Sequence, residues 1–341
     1  MPLGPESLRV AIAGATSLRG KDLKQYIEES EFPVGEIRLF DEELAAGALT
    51  EVGGEPAVVH AIDDSSFDRI RFVFFTGSAS FAAKHAPTAL RAGSTVIDLS
   101  GGLQNVAGAR LWIPALDALL SPPAVWATGQ ARIEVCISPS VPAILASAMS
   151  VALAGSALTR CAIVFLQPVS ERGQAGVSEL EAQTVNLLSL HTIPQEVFDT
   201  QVAYNLLDRW GAESAEKLGD AWDRVSSEVG QYLAGRTPVP ALTMIQAPVF
   251  FGCAFSAFAE FSGIPAEDEI LRGLQKAGFV TVPEGDPGPS NLSVAGEAQA
   301  NIRLAHRDRN VEHGYWLWGA ADNLRLGSIN AIRIAERLLA S

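Results

Sequence analysis

Side chains able to attack a substrate or move a proton are few in this chain and do not cluster. Cys136, Cys161 and Cys253 form no CxxC pair, so neither a disulfide framework nor a thiolate metal site is implied. A thiol becomes a nucleophile when a neighbouring base or cation lowers its pKa, and Cys253 has no histidine beside it in sequence. Cys136 falls on an apolar strand, where a free cysteine packs as a small hydrophobe. His60, His85, His191, His306 and His313 show no His-x-x-x-His or acid-spaced pattern, and no metal is expected. His85, on a helix, and His191, before a turn, read as exposed or capping groups. Ser138 and Ser140 lack a base, and Ser140 is better explained as a helix N-cap with Pro142 in the first turn.

The stronger signal lies in the backbone. Gly14-Ala15-Thr16-Ser17-Leu18-Arg19-Gly20 follows an apolar strand and opens a helix. Glycines placed so let the chain turn tightly and set a pyrophosphate on the helix N-terminus. Ser17 stands where a middle glycine would give the closest approach, so its Cβ weakens the fit. The second strand ends in Phe40-Asp41-Glu42-Glu43, and an acid there can accept hydrogen bonds from the ribose hydroxyls of NAD. Acids without an arginine nearby in sequence would repel the 2′-phosphate of NADP. NAD is therefore expected in preference to NADP, and weakly.

These groups need a scaffold, and the apolar runs supply it. Strands at Leu8–Ala13, Ile37–Phe40, Phe72–Phe75, Val96–Leu99 and Arg132–Ile137 alternate with helices at Arg19–Glu29, Ser80–Arg91 and Pro142–Leu153. Continuous apolar strands between helices indicate a parallel sheet covered on both faces. Beyond residue ~155 the strands Cys161–Val169, Leu242–Phe251, Ala300–His306 and Tyr315–Gly319 outnumber the helices that serve them, which suggests a partly antiparallel sheet. The helices there are Val177–Leu190, Ala221–Leu233 and Ala266–Ala277, while a last one, Asp322–Leu339, goes with the first domain. The expected fold is α/β: a doubly wound Rossmann-like dinucleotide-binding domain, residues 1–140 with 322–341, and an α+β domain, residues 141–321. Trp316 and Trp318 alternate on one strand and share a face, as core or interface residues do. A length of 341 residues suits two domains. The net charge of −14 argues against nucleic acid. No window is apolar enough for a membrane span and the start MPLGPESLRV has no basic leader, so a cytoplasmic setting is expected.

Several segments, in order along the chain, resemble the aspartate-semialdehyde dehydrogenase family. Gly14-Ala15-Thr16 resembles its GATGxVG turn, and Val96-Ile97-Asp98-Leu99-Ser100 its VIDxS strand end. Gln167-Pro168-Val169-Ser170 with Gly173 and Gly176 resembles QAVSGAGxxG. Tyr204-Asn205 resembles FN, Pro248-Val249-Phe250 resembles PVF, and Asp322-Asn323-Leu324-Arg325 with Gly327 and Asn330 resembles DNLRKGAAxNA. Within the family the likeness is to the Usg-type paralogue. The resemblance implies NAD(P) as cofactor, held here by Gly14, Thr16, Ser17, Leu18, Gly20, Asp41, Gly77 and Asn323. It also implies a homodimer formed through the middle domain's sheet.

The family's chemistry is phosphate-dependent oxidation of an aldehyde through a cysteine thioester, and its side chains are missing here. The nucleophile of the family's PNC turn falls on Val141 in Ser138-Pro139-Ser140-Val141-Pro142. Its phosphate-binding arginine falls on Gln104, its substrate arginine on Gln246 and its histidine on Cys253, while Gln167 matches the family's glutamine. The family's glutamate–lysine pair falls near Ala221 and Arg224. Two functional readings follow. One is a family member that keeps the NAD(P)-binding and dimerisation fold without the dehydrogenase activity. The other is a divergent active NAD(P)-dependent semialdehyde or acyl-phosphate oxidoreductase of amino-acid biosynthesis, working through Cys253. A purely structural dimer stands beside them.

Overall fold

The computed structural model describes residues 8–120 and 133–340, and these divide into two compact units. The first takes the residues up to Ala115, those ending at Ser140 and those from Gly327 onward; the second takes Leu116 with its neighbours and Val141–Leu326. The N-terminal stretch, the expected strand start at Arg132 and Ser341 lie outside the described residues.

The first unit contains β1 (Arg9–Ala13), α1 (Leu18–Glu29), β2 (Glu36–Asp41), β3 (Leu49–Val52), β4 (Glu55–Val58), β5 (His60–Ala61), β6 (Phe72–Phe75), α2 (Ala79–Arg91), β7 (Thr95–Asp98), β8 (Arg110–Leu111) and β9 (Val135–Ile137). Seven strands form one parallel sheet in the order β5-β2-β1-β6-β7-β9-β8. The hairpin of β3 and β4 stands apart from it and was not anticipated.

Alternation explains why these strands read as unbroken apolar runs, since successive side chains point to opposite faces and both faces are covered. Val10, Ile12, Phe72, Phe74 and Ile97 pack on one face with Leu23 and Ile27 of α1 and with Ile332 and Ala335 of the last helix. Ala11, Ala13, Val73, Phe75 and Val96 pack on the other with Phe81, Ala82, Ala86 and Ala89 of α2. Each fully buried phenylalanine contributes roughly 2 kcal/mol, so Phe72, Phe74 and Phe75, all at 0% exposure, anchor the sheet. Cys136 joins the first of these cores, as its strand position implied.

From β1 the chain crosses through α1 to β2 on one side, and from β6 it crosses through α2 to β7 on the other. The strand order therefore reverses between β1 and β6, and a ligand groove opens at the carboxyl ends of strands where such a reversal occurs. Gly14 and Gly77 follow those two strand ends.

The second unit contains α3 (Val141–Ala154), β10 (Leu158–Gln167), α4 (Gly173–Leu188), α5 (Leu218–Leu233), β11 (Ala241–Gln246), β12 (Cys253–Phe261), α6 (Glu267–Lys276), β13 (Val280–Thr281), β14 (Asn301–Arg307) and β15 (Gly314–Ala321), and the start of α7 (Arg325–Ala340). Its sheet runs β11-β10-β12-β15-β14-β13, antiparallel at the centre and parallel in the β10–β11 and β13–β14 pairs. Ile163, Phe165, Phe255, Phe261 and Leu317 form its dry face. Helix α3 has every residue from Val141 to Leu153 buried and packs with α5 and α6. The other face carries Val164, Phe258, Trp316 and Trp318, all half-buried, with the Phe258 and Trp316 rings 5.2 Å apart.

Two sequence expectations are corrected here. The strand expected over Leu242–Phe251 stops at Gln246, and a further strand that was not expected follows it. Cys253 is the first residue of β12, a central strand whose alternation is blurred by its alanines. Helix α7 begins at Arg325 rather than Asp322; the Asp322 carboxylate caps it from outside by accepting from the Leu324 and Arg325 N–H groups at 2.9 and 3.0 Å.

Candidate functional site

The glycine turn is held by backbone contacts that only glycine permits. Gly14 has φ +99°, and a Cβ built there would lie 2.2 Å from the Gly77 nitrogen. A Cβ on Gly20 would lie 2.3 Å from the Gly14 carbonyl oxygen. These three glycines thus bring the β1 turn, the β6 turn and the first turn of α1 together. Ser17 is the N-cap of α1: its Oγ accepts from Gly20 N–H at 2.9 Å and donates to the Thr76 carbonyl at 3.0 Å. It therefore spends on the fold a backbone donor that a bare helix start would offer to a phosphate.

Asp41 behaves similarly. It is 8% exposed, and its Oδ2 accepts from both the N–H and the hydroxyl of Thr16 at 2.7 Å each. This clamp between the strand end and the turn was not legible in the sequence, because the partners lie 25 residues apart. Beside it is a cavity of about 520 Å³ lined by Asp41, Glu42, Leu44, Phe81, Lys84 and His85, among others. Its size suits a nucleoside half. The residues fit a dinucleotide's adenosine end better than its pyrophosphate, where the turn's own bonds compete. Lys84 is the group that sequence reading missed, since it comes from α2 and meets the acids only in the fold. His85 is not an exposed or capping group; it is half-buried and packs against Phe81 with the rings tilted at 53° and their centroids 4.7 Å apart. Burial, reinforced by Lys84, holds its pKa below the ordinary histidine value.

In the second unit Val141, Gln167, Gln246 and Cys253 are all buried. Val141 opens α3 and is 4% exposed. Gln167 and Gln246 end β10 and β11 and pair in register. The Gln246 amide donates to the Gln167 and Ala247 carbonyls at 2.9 and 3.0 Å, and its Oε1 accepts from Trp210 Nε1–H at 3.2 Å. Both its donors are committed to structure. Cys253 is buried, and burial, followed by the negative charge of Glu171, pushes its thiol far above the ordinary cysteine pKa. Arg224 pairs with the buried Glu228 at 3.0 Å. Asn323 also belongs to this unit: it donates to Ser170 Oγ and Glu171 Oε1 and accepts from Gly252 N–H at 2.8 Å. Among the described residues no cluster of three or more His, Cys, Asp or Glu could hold a metal ion, and no helix is long and apolar enough to cross a membrane.

Fold and site define a protein with a Rossmann-type dinucleotide turn in one unit and a mixed-sheet second unit. Residues 9–121 match the family model described as semialdehyde dehydrogenase, NAD binding domain, and residues 153–326 match semialdehyde dehydrogenase, dimerisation domain. The chain belongs to the semialdehyde dehydrogenase family. It is 29% identical over 339 residues to the USG-1 protein homolog of Azotobacter vinelandii, covering 98% of both chains. It is 25% identical to aspartate-semialdehyde dehydrogenase 2 of Vibrio cholerae, again over 98% of both. The solved structure of a probable aspartate-semialdehyde dehydrogenase from Pseudomonas aeruginosa superposes with a TM-score of 0.85 at 30% identity, covering 97% of this chain and 98% of that one.

Proposed function

We propose that this chain is a homodimeric member of the family that binds a nicotinamide dinucleotide and has lost the cysteine-dependent dehydrogenase reaction. The observation that carries the reading is Val141 at the start of α3. A thioester route needs a thiolate there, a base to form it and cations to hold the anionic substrate. Valine supplies no lone pair, Gln246 is bonded into the sheet, and the Cys253 thiol is buried with its pKa raised. A bound nicotinamide would supply a hydride acceptor. The chain's own part is to hold the nucleotide: Asp41 and Glu42 would face its ribose, and the Phe81–His85 pair would flank its base.

NAD is the preferred form in this reading, because Asp41, Glu42 and Glu43 all line the cavity and outnumber Lys84. Lys84 narrows that preference relative to an all-acidic rim. The half-buried sheet face with Trp316 and Trp318 is the surface through which two copies would associate, in keeping with the family model matched there.

Purified full-length protein, given aspartate semialdehyde, phosphate and either nucleotide, is expected to form no reduced nucleotide above background, while calorimetry detects NAD. Turnover that disappears in Cys253→Ala would establish the divergent active oxidoreductase instead. Absence of binding by either nucleotide would favour a purely structural dimer.

A further inference from the structure

The second unit holds a cavity lined by none of the residues discussed above as site residues. It has a volume of about 600 Å³ and opens among the C-terminal turn of α3, the segment after α5 and the outer side of α6. Its lining includes Arg236, Thr237, Arg272 and Lys276, with Glu269 as the acid among them. In a chain of net charge −14 this local excess of positive charge is conspicuous.

Two buried polar atoms in that wall have no hydrogen-bond partner among the described residues: Arg236 Nη1 and Thr237 Oγ1. A buried guanidinium donor left unmade costs more than an ordinary hydrogen bond returns, so the site is built for something that accepts. Arg236 is also braced, with its guanidinium 5.8 Å over the Tyr232 ring. The floor is rigid, because α6 approaches α3 so closely at Gly273 that a Cβ there would lie 2.5 Å from the Ala152 carbonyl oxygen. The C-terminal end of α3 contributes roughly half a negative charge, which three cations outweigh.

We infer that this cavity binds a small phosphoryl-bearing anion, received by the Arg236 fork, the Thr237 hydroxyl and the ammonium of Lys276. Arg with Lys and a hydroxyl is the donor set that suits a phosphoryl group. The site is not the family's substrate position. Val141 begins α3 and the cavity adjoins its other end, 14 residues on, a span of about 20 Å at 1.5 Å per residue.

The probe is inorganic pyrophosphate, titrated calorimetrically into the full chain at low salt. Saturable binding is expected, weakening as salt rises. Arg272→Glu with Lys276→Glu replaces two exposed side chains and leaves the fold intact by thermal unfolding. That variant is expected to bind at least about tenfold more weakly, and Arg236→Gln likewise, the loss expected for one charge-assisted hydrogen bond. Arg236→Lys should recover part of the loss, and NAD affinity should be unchanged in all three. Absence of saturable binding by the wild-type chain would overturn the inference. So would equal affinity in the wild type and the Arg272/Lys276 variant, which would place the anion elsewhere, as at the glycine turn.

Discussion

The glycine turn of the first unit and the buried residues Val141, Gln246 and Cys253 of the second make opposite demands on the chain. At the turn, the demanding feature is backbone geometry, and Gly14, Gly20 and Gly77 meet it even though Ser17 replaces a middle glycine. In the second unit, any reaction would demand side-chain chemistry, and Val141, Gln246 and Cys253 are buried there as an apolar, a neutral and a thiol side chain. The same glycines that could cradle a pyrophosphate also close the β1–β6 turn, so replacing them would destabilise the unit. Nothing comparable ties a nucleophile or a substrate arginine to the fold.

Breaking the first region should have the largest effect. Gly14→Ala is expected to cost about 5 kcal/mol, since the methyl would press into the Gly77 backbone at a positive φ. Denaturant unfolding would show loss of the cooperative transition or a large fall in its midpoint. An ordinary midpoint would mean that the turn is looser than its geometry implies.

Restoring the family's residue in the second region tests the other half. Gln246→Arg places a charge at a site of 0% exposure among neutral partners, which is expected to destabilise by about 3 kcal/mol without conferring activity. An active, undamaged variant would show that this position still belongs to a working site.

The thiols give a smaller, pH-dependent effect. Burial raises Cys136 and Cys161 from 9.0 to about 12. The folded chain keeps protons that the unfolded chain sheds, so stability is full below pH 9 and falls as pH rises from there toward 12. Each thiol contributes a slope of about 1.4 kcal/mol per pH unit in that window. Cys136→Ala with Cys161→Ala should flatten the slope, read from denaturant midpoints across pH. Native protein should also react with a thiol reagent far more slowly than unfolded protein does.

The smallest effect sharpens the nucleotide reading. Lys84→Ala removes the only cation among the residues lining the cavity beside Asp41, and is expected to widen the NAD preference by about 1 kcal/mol. Calorimetry with both nucleotides checks it, and an unchanged ratio would mean that Lys84 does not reach the 2′ position.

What was legible in the sequence was whatever local pattern determines. Continuous apolar runs such as Phe72–Phe75 identified a sheet buried on both faces, because a strand can be apolar on both sides only there. The glycine turn announced itself because its geometry excludes side chains within a short stretch of chain. The proposal that the nucleophile is lost also rests on a single residue type read from the sequence, Val141. Tertiary structure alone decided what depends on partners far apart in sequence. The Thr16–Asp41 clamp, the arrival of Lys84 at the acidic strand end and the Trp210–Gln246–Gln167 bonding could not be read from spacing. Strand β12 escaped for a related reason: its alanines carry little hydropathy contrast, and only pairing with β10 and β15 makes them a central strand. Local backbone preference and burial pattern are properties of a segment, whereas the saturation of Gln246 and the protonation of Cys253 are properties of what the fold packs around them.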